Sequence, residues 1–131
     1  MELTKYSRNR LLNSLEYWRV ERDFAEPMYN YLVHGFEPGG FFLGWYANDA
    51  MAIVRSHPGN SVESLKNLSK WMINCMPNTA WGSYHKVEKW LALSDADRRT
   101  RLEAKQLIFT EQEEILQALK GEHTQEPLFL Y

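Results

Sequence analysis

The sequence predicts an all-α fold, an irregular single-domain bundle of about six to seven short helices around a buried central helix. Three observations carry this expectation. Apolar residues recur at three- and four-residue steps through most of the chain, the period of a helix with one buried face. Capping patterns stand at the right offsets ahead of several of these segments. No stretch shows sustained period-two alternation, and no Asn-Gly or Asp-Gly hairpin signal is present. At 131 residues, one domain covering 1–121 with a tail over 122–131 is the natural division. Hydrophobic residues make up 44% and aromatics 14%, enough to build a core and too many for a largely disordered chain.

A first helix is expected from Ser7 to about Arg22, where Leu11, Leu12, Leu15 and Trp18 share a face. Pro27 then occupies a first-turn position, and Gly35 is a left-handed stop for a short second helix carrying Met28, Tyr31 and Leu32. Phe36 to Gly40 reads as a tight loop, because Pro38 restricts its predecessor and adjacent glycines favour turns. Phe41 to Arg55 is apolar nearly all round, which marks the buried central helix. His57-Pro58-Gly59 breaks it, and Asn60 with Glu63 offers a cap for a fourth helix over Val62 to Met76. Ser83 caps a short helix with Val87, Trp90 and Leu91, and Ser94 with Asp95 and Asp97 opens a sixth. Thr110 with Glu113 forms a capping-box pattern for a seventh helix that stops at Gly121.

The formal charge of −2 gives no global pull toward nucleic acid or an anionic membrane. The single cysteine, Cys75, cannot form an internal disulfide, and no charged-then-apolar leader is visible, so the cytoplasm is the expected compartment. The longest apolar run, around Phe41 to Ala47, is far short of the roughly 20 residues that span a bilayer, and no membrane partner is expected. Five tryptophans indicate either a wide core or an aromatic surface kept for a partner.

Between about Tyr31 and Leu91, His34-Gly35-Phe36-Glu37-Pro38-Gly39 is followed by Asn48-Asp49, then by Trp81-Gly82-Ser83 with Val87 and Trp90. On these residues the chain resembles a set of small tailed-bacteriophage and prophage proteins. The resemblance implies a phage origin and a shared core, with no reaction attached. It marks His34, Gly35, Pro38, Gly39, Asn48, Asp49, Trp81, Gly82 and Ser83 as a structural or binding core, and it leaves out the first helix, the Arg-rich sixth helix and the tail.

Asn48 and Asp49 are strongly polar residues inside an apolar stretch, and a buried carboxylate needs partners. One reading has them tie down the Pro38-Gly39-Gly40 loop and His34. The other makes His34 and Asp49 an acid–base pair, without a nucleophile or metal motif beside it. His34, His57, His85, His123 and Cys75 are too scattered for a metal site, Gly39-Gly40 lacks the lysine and strand of a phosphate loop, and Ser83 reads as a cap rather than a nucleophile. No metal and no cofactor are expected. Arg98, Arg99, Arg101 and Lys105 gather on the sixth helix as candidate contacts to nucleic acid or an acidic partner, against the alternative of a solvated or self-paired face. The apolar end Leu128, Phe129, Leu130 and Tyr131 is a candidate docking tail, for the bundle or for a partner.

The leading expectation is a non-enzymatic phage accessory protein that binds a host or phage protein, inhibiting or redirecting a host defence or nucleic-acid-processing factor. A homo-oligomer is compatible with the self-complementary charges of the last two helices, and nucleic acid is left open. The second reading is a nucleic-acid-associated factor using the Arg98–Lys105 helix. The third is a small enzyme centred on His34 and Asp49.

Overall fold

The computed structural model describes residues 1–56, 59, 62–121 and 127. Among these the chain is all-α: α1 (Lys5–Tyr17), α2 (Ala25–Tyr29), α3 (Gly40–Tyr46), α4 (Ala50–Ser56), α5 (Val62–Cys75), α6 (Tyr84–Ala92), α7 (Asp95–Ala104) and α8 (Glu111–Lys120). A 3-10 turn over Arg22–Phe24 leads into α2, and a π-turn over Asn30–His34 continues it. The expected break at His57-Pro58, the Asn60 cap and the docking tail Leu128–Tyr131 lie outside the described residues.

Local chemistry starts and stops these helices. Ser83, Ser94 and Thr110 each accept from the backbone N–H three residues on, and Thr110 with Glu113 completes the reciprocal box. Thr4 does the same for α1, so that helix begins earlier than the apolar spacing alone indicates. It also ends earlier, at Tyr17, because Arg19 turns into the left-handed region at φ 57 and redirects the chain so that Val20 is buried.

The deepest part of the molecule is the α2–π segment rather than the predicted central helix. Met28, Tyr31, Leu32 and Val33 are wholly buried on it, among the large side chains Trp71, Trp90 and Tyr46. The π-turn widens the helix so that consecutive residues 31–33 all face protein, which a regular α-helical face does not allow. Tyr31 stacks on Tyr46 with ring centroids 4.5 Å apart and donates its hydroxyl to the Ala80 carbonyl at 2.7 Å. Trp90 Nε1 donates to the Tyr31 carbonyl at 3.1 Å, fixing α6 against this segment. Of the five tryptophans, Trp71 and Trp90 are buried and Trp18, Trp45 and Trp81 half-buried, so the core reading accounts for them all.

The expected continuous helix from Phe41 to Arg55 is two helices. It breaks at Ala47–Asp49, where Asn48 takes φ 59, and α3 folds back closely on α4. Gly44 makes the approach possible: a Cβ there would lie 2.9 Å from the Ala52 Cβ. α3 buries Phe41 and Tyr46 in the core and packs its other side on α4, so the apolar run from 41 on mimics one long buried helix in sequence.

Candidate functional site

The Asn48–Asp49 pair occupies the corner between α3 and α4 instead of a buried helix interior. Asn48 is exposed, as the left-handed corner residue, and Asp49 is half-buried. One Asp49 oxygen accepts from the Ala52 N–H at 3.2 Å, capping α4, and the other accepts from the Tyr84 hydroxyl at the start of α6. Next to this bond, the Gly82 N–H donates to the Tyr46 carbonyl at 2.6 Å and Ser83 caps α6. The Asn48-Asp49 and Trp81-Gly82-Ser83 segments are therefore brought together, as a joint between the α3–α4 corner and α6. Asp49→Ala is expected to cost about 1 kcal/mol, the usual value of a lost cap, and to leave a folded chain by circular dichroism. A loss above about 3 kcal/mol in urea denaturation would show the corner to be buried after all.

His34 and Gly35 belong to a different neighbourhood. His34 lies against Tyr29 and Phe36, with the Met1 ammonium 3.4 Å from its Nδ1. Burial first, and the Met1 ammonium and Arg98 with it, hold its imidazole below the ordinary range, against the pull of Asp95 and Glu2. His34 lies among the start of the chain, the α2–π segment with the residues just after it, and α7, whereas the Asp49 carboxylate accepts from α4 and α6. Pro38 and Gly39 form the entry to α3, with Gly39 extended as its N-terminal cap residue.

Gly35 ends the π-turn at φ 66, and its Cα surface is covered by the Arg98 guanidinium: a Cβ would stand 2.6 Å from Nη1 and 2.8 Å from Cζ. Arg98, 5% exposed, donates Nε to the Val33 carbonyl at 3.3 Å, Nη1 to the Leu93 carbonyl, and Nη2 to Asp95. It is an internal clamp between the π-turn and α7. Arg99 donates to Glu103 at 3.2 Å, the Phe109 carbonyl at 3.1 Å and Glu114 at 2.6 Å. These two residues, expected as contacts to nucleic acid or an acidic partner, face inward because buried carbonyls and carboxylates await them there. Of that set only Arg101 and Lys105 remain toward solvent.

Glu114 is the buried residue of α8. Its carboxylate accepts from Thr4, from Ser7 at 2.6 Å and from Arg99, and Ser7 Oγ in turn accepts from the Phe109 N–H at 3.1 Å. Burial alone would raise its pKa, but the hydrogen bonds from Ser7, Thr4 and Arg99 and the Arg99 charge outweigh it and hold the carboxyl below its usual range. A polar plug thus fixes α8 to α1 and α7. The helix's apolar side is left outward: Ile115 is 60%, Leu116 48% and Leu119 79% exposed.

A second surface was not singled out by sequence reasoning. His85, Lys86 and Lys89 of α6 and Arg101 of α7 rim a groove of about 540 Å3 floored by Trp90 and Leu93. The signal was available, since 85 and 89 are one helical turn apart and 86 adjoins them, but the segment reads first as the carrier of Val87 and Trp90.

Among the described residues, no helix is long and apolar enough to cross a membrane and no cluster of His, Cys, Asp and Glu side chains is arranged to hold a metal ion. The fold and these sites define a small all-α bundle with a polar-clamped interior and two accessible surfaces, the outward side of α8 and the α6–α7 groove. Comparison with protein-family models, curated proteins and solved structures finds no match.

Proposed function

We propose that this chain is an interaction protein that docks α8 into an apolar groove of a protein partner. The observation that carries the reading is the orientation of α8. An amphipathic helix normally turns its apolar stripe to its own core, whereas here Glu114 goes inward and Ile115, Leu116 and Leu119 are presented to solvent. Positions 115, 116 and 119 lie on one side of the helix, which is how helix-in-groove recognition reads its anchors. The resemblance to phage-encoded proteins favours a host or phage protein in the host cytoplasm as the partner, such as a defence or nucleic-acid-processing factor that is inhibited or redirected. No covalent chemistry is required of the surface, and the reading is a non-enzymatic one.

The test uses Leu116→Glu and Leu119→Glu. Both sites are exposed, so stability is expected to stay within about 0.5 kcal/mol of the parent. Co-purification of a stoichiometric protein from nuclease-treated host lysate is expected to be lost in both variants. If the same protein is retained at parental yield by both, α8 is not the docking surface. Light scattering of the purified chain separates a foreign partner from a second copy: self-association abolished by Leu119→Glu would make the partner this chain itself.

A further inference from the structure

The α6–α7 groove has a feature that the docking role of α8 does not use. His85, Lys86, Lys89 and Arg101 converge on it from two helices in a chain whose formal charge is −2. Lys86 and Lys89, three residues apart on α6, repel one another unless carboxylates relieve them. Here, among the described residues, His85, Lys89 and Arg101 make no ion pair, and Lys86 is held only by the Asn78 carbonyl, at 3.2 Å. The walls are fixed rather than loose. The buried Trp90 is anchored through Nε1 to the Tyr31 carbonyl, and the turn between α6 and α7 is held at the Leu93 carbonyl by Arg98. The result is a preformed groove with an apolar floor and a rim of Lys86, Lys89 and Arg101, and among the described residues no carboxylate lines it.

We propose that this groove binds a small organic phosphate, its apolar body over the Leu93 side of the floor and its phosphate between Lys89 and Arg101. The volume falls in the range of small-molecule sites, roughly 300 to 1,000 Å3. A phosphate supplies the two or more negative oxygens that unpaired lysine and arginine donors take up as short, charge-assisted hydrogen bonds. A nucleic-acid strand fits less well. It asks for a track of cations along a face, and on α7 the neighbouring Arg98 and Arg99 are consumed internally while Lys105 does not line the groove.

The experiment is an NMR titration of the full chain with adenosine 5′-monophosphate, with adenosine as the uncharged arm and a 5′-phosphorylated single strand as the polymer arm. The monophosphate is expected to move amides of α6 and the α6–α7 turn and the Trp90 indole N–H, with a dissociation constant of about 1 mM or tighter, while adenosine leaves them in place. Lys89→Gln and Arg101→Gln are each expected to weaken it about tenfold, a charge-assisted contact each, and Lys66→Gln on α5 is not. Equal responses to adenosine, unchanged binding in both groove variants, or no response at about 10 mM ligand would overturn the proposal. A single strand bound a hundredfold tighter, with a steep salt dependence, would likewise replace the small ligand by nucleic acid.

Discussion

Gly35→Ala is expected to destabilise the chain by about 4 kcal/mol, although it adds one methyl group at a half-exposed position. Two effects add. An L residue at φ 66 costs about 1 to 2 kcal/mol in the left-handed region. The new Cβ, 2.6 Å from Arg98 Nη1, forces the guanidinium away from the Val33 and Leu93 carbonyls, and each buried acceptor left unpaired costs about 1 to 3 kcal/mol. Arg98→Ala alone is expected to cost about 3 kcal/mol, since it strands the same two carbonyls, while the exposed Asp95 keeps solvent and the Met1 ammonium. The two substitutions are therefore not additive. In the Arg98→Ala background, Gly35→Ala retains only its backbone cost, so a double-mutant cycle by urea denaturation at pH 7 is expected to give a coupling of about 2 kcal/mol. Coupling near zero would mean that the close approach of Gly35 and Arg98 does not exist in solution.

Removing the carboxylate at Glu114 is the second large effect, with a loss of about 3 kcal/mol for Glu114→Ala and about 2 kcal/mol for Glu114→Gln at pH 7. Three donors converge on this group, so its removal leaves the Thr4 and Ser7 hydroxyls and one side of Arg99 without their acceptor. The alanine variant adds a void where α8 meets α1 and α7. The glutamine variant has a distinctive pH signature. Because the folded chain holds the Glu114 carboxyl below its ordinary value, the unfolded chain takes up the proton first as acid is added. The stabilisation is fully present above about pH 4.5 and is lost as pH falls through the lower folded value. The gap between parent and Glu114→Gln is thus expected to be widest near neutral pH and to close as pH falls below about 4.5 through the lower folded value. A gap that does not narrow at all as pH is lowered from about 7 to the acid-unfolding limit would show that the charge is not what holds α8.

The same two clusters mark where sequence reasoning stops. The caps at Ser83, Ser94 and Thr110 and the left-handed stop at Gly35 are legible because a cap and its partner lie within a few residues of each other. Arg98 is different. Its partners include the Val33 carbonyl, 65 positions away, and a run of arginines in sequence carries no mark of whether carbonyls will face it. Arg99 has the same history with Glu114 and Phe109. The basic groove combines both cases, since the α6 spacing could be read directly and the contribution of Arg101 could not.

The Ala47–Asp49 corner shows the limit for elements as well as for sites. Apolar character on every side of residues 41–55 is compatible with one buried helix or with two that bury faces against each other, and periodicity does not separate them. Gly44 and the Asn48-Asp49 pair were the signals, small residues for close approach and turn formers for the corner.

The sequence by itself determined the all-α class and most helix starts and stops, because these depend on interactions within one or two helical turns; which apolar faces turn inward it did not, since Val62, Leu116 and Leu119 are exposed. Only the tertiary structure decided that the deepest segment is the π-turn, that Arg98, Arg99 and Glu114 turn inward, and that α8 turns its apolar side out. Each of those outcomes is fixed by a donor or acceptor more than ten residues away, and its free energy exists only once the two elements have been brought into contact.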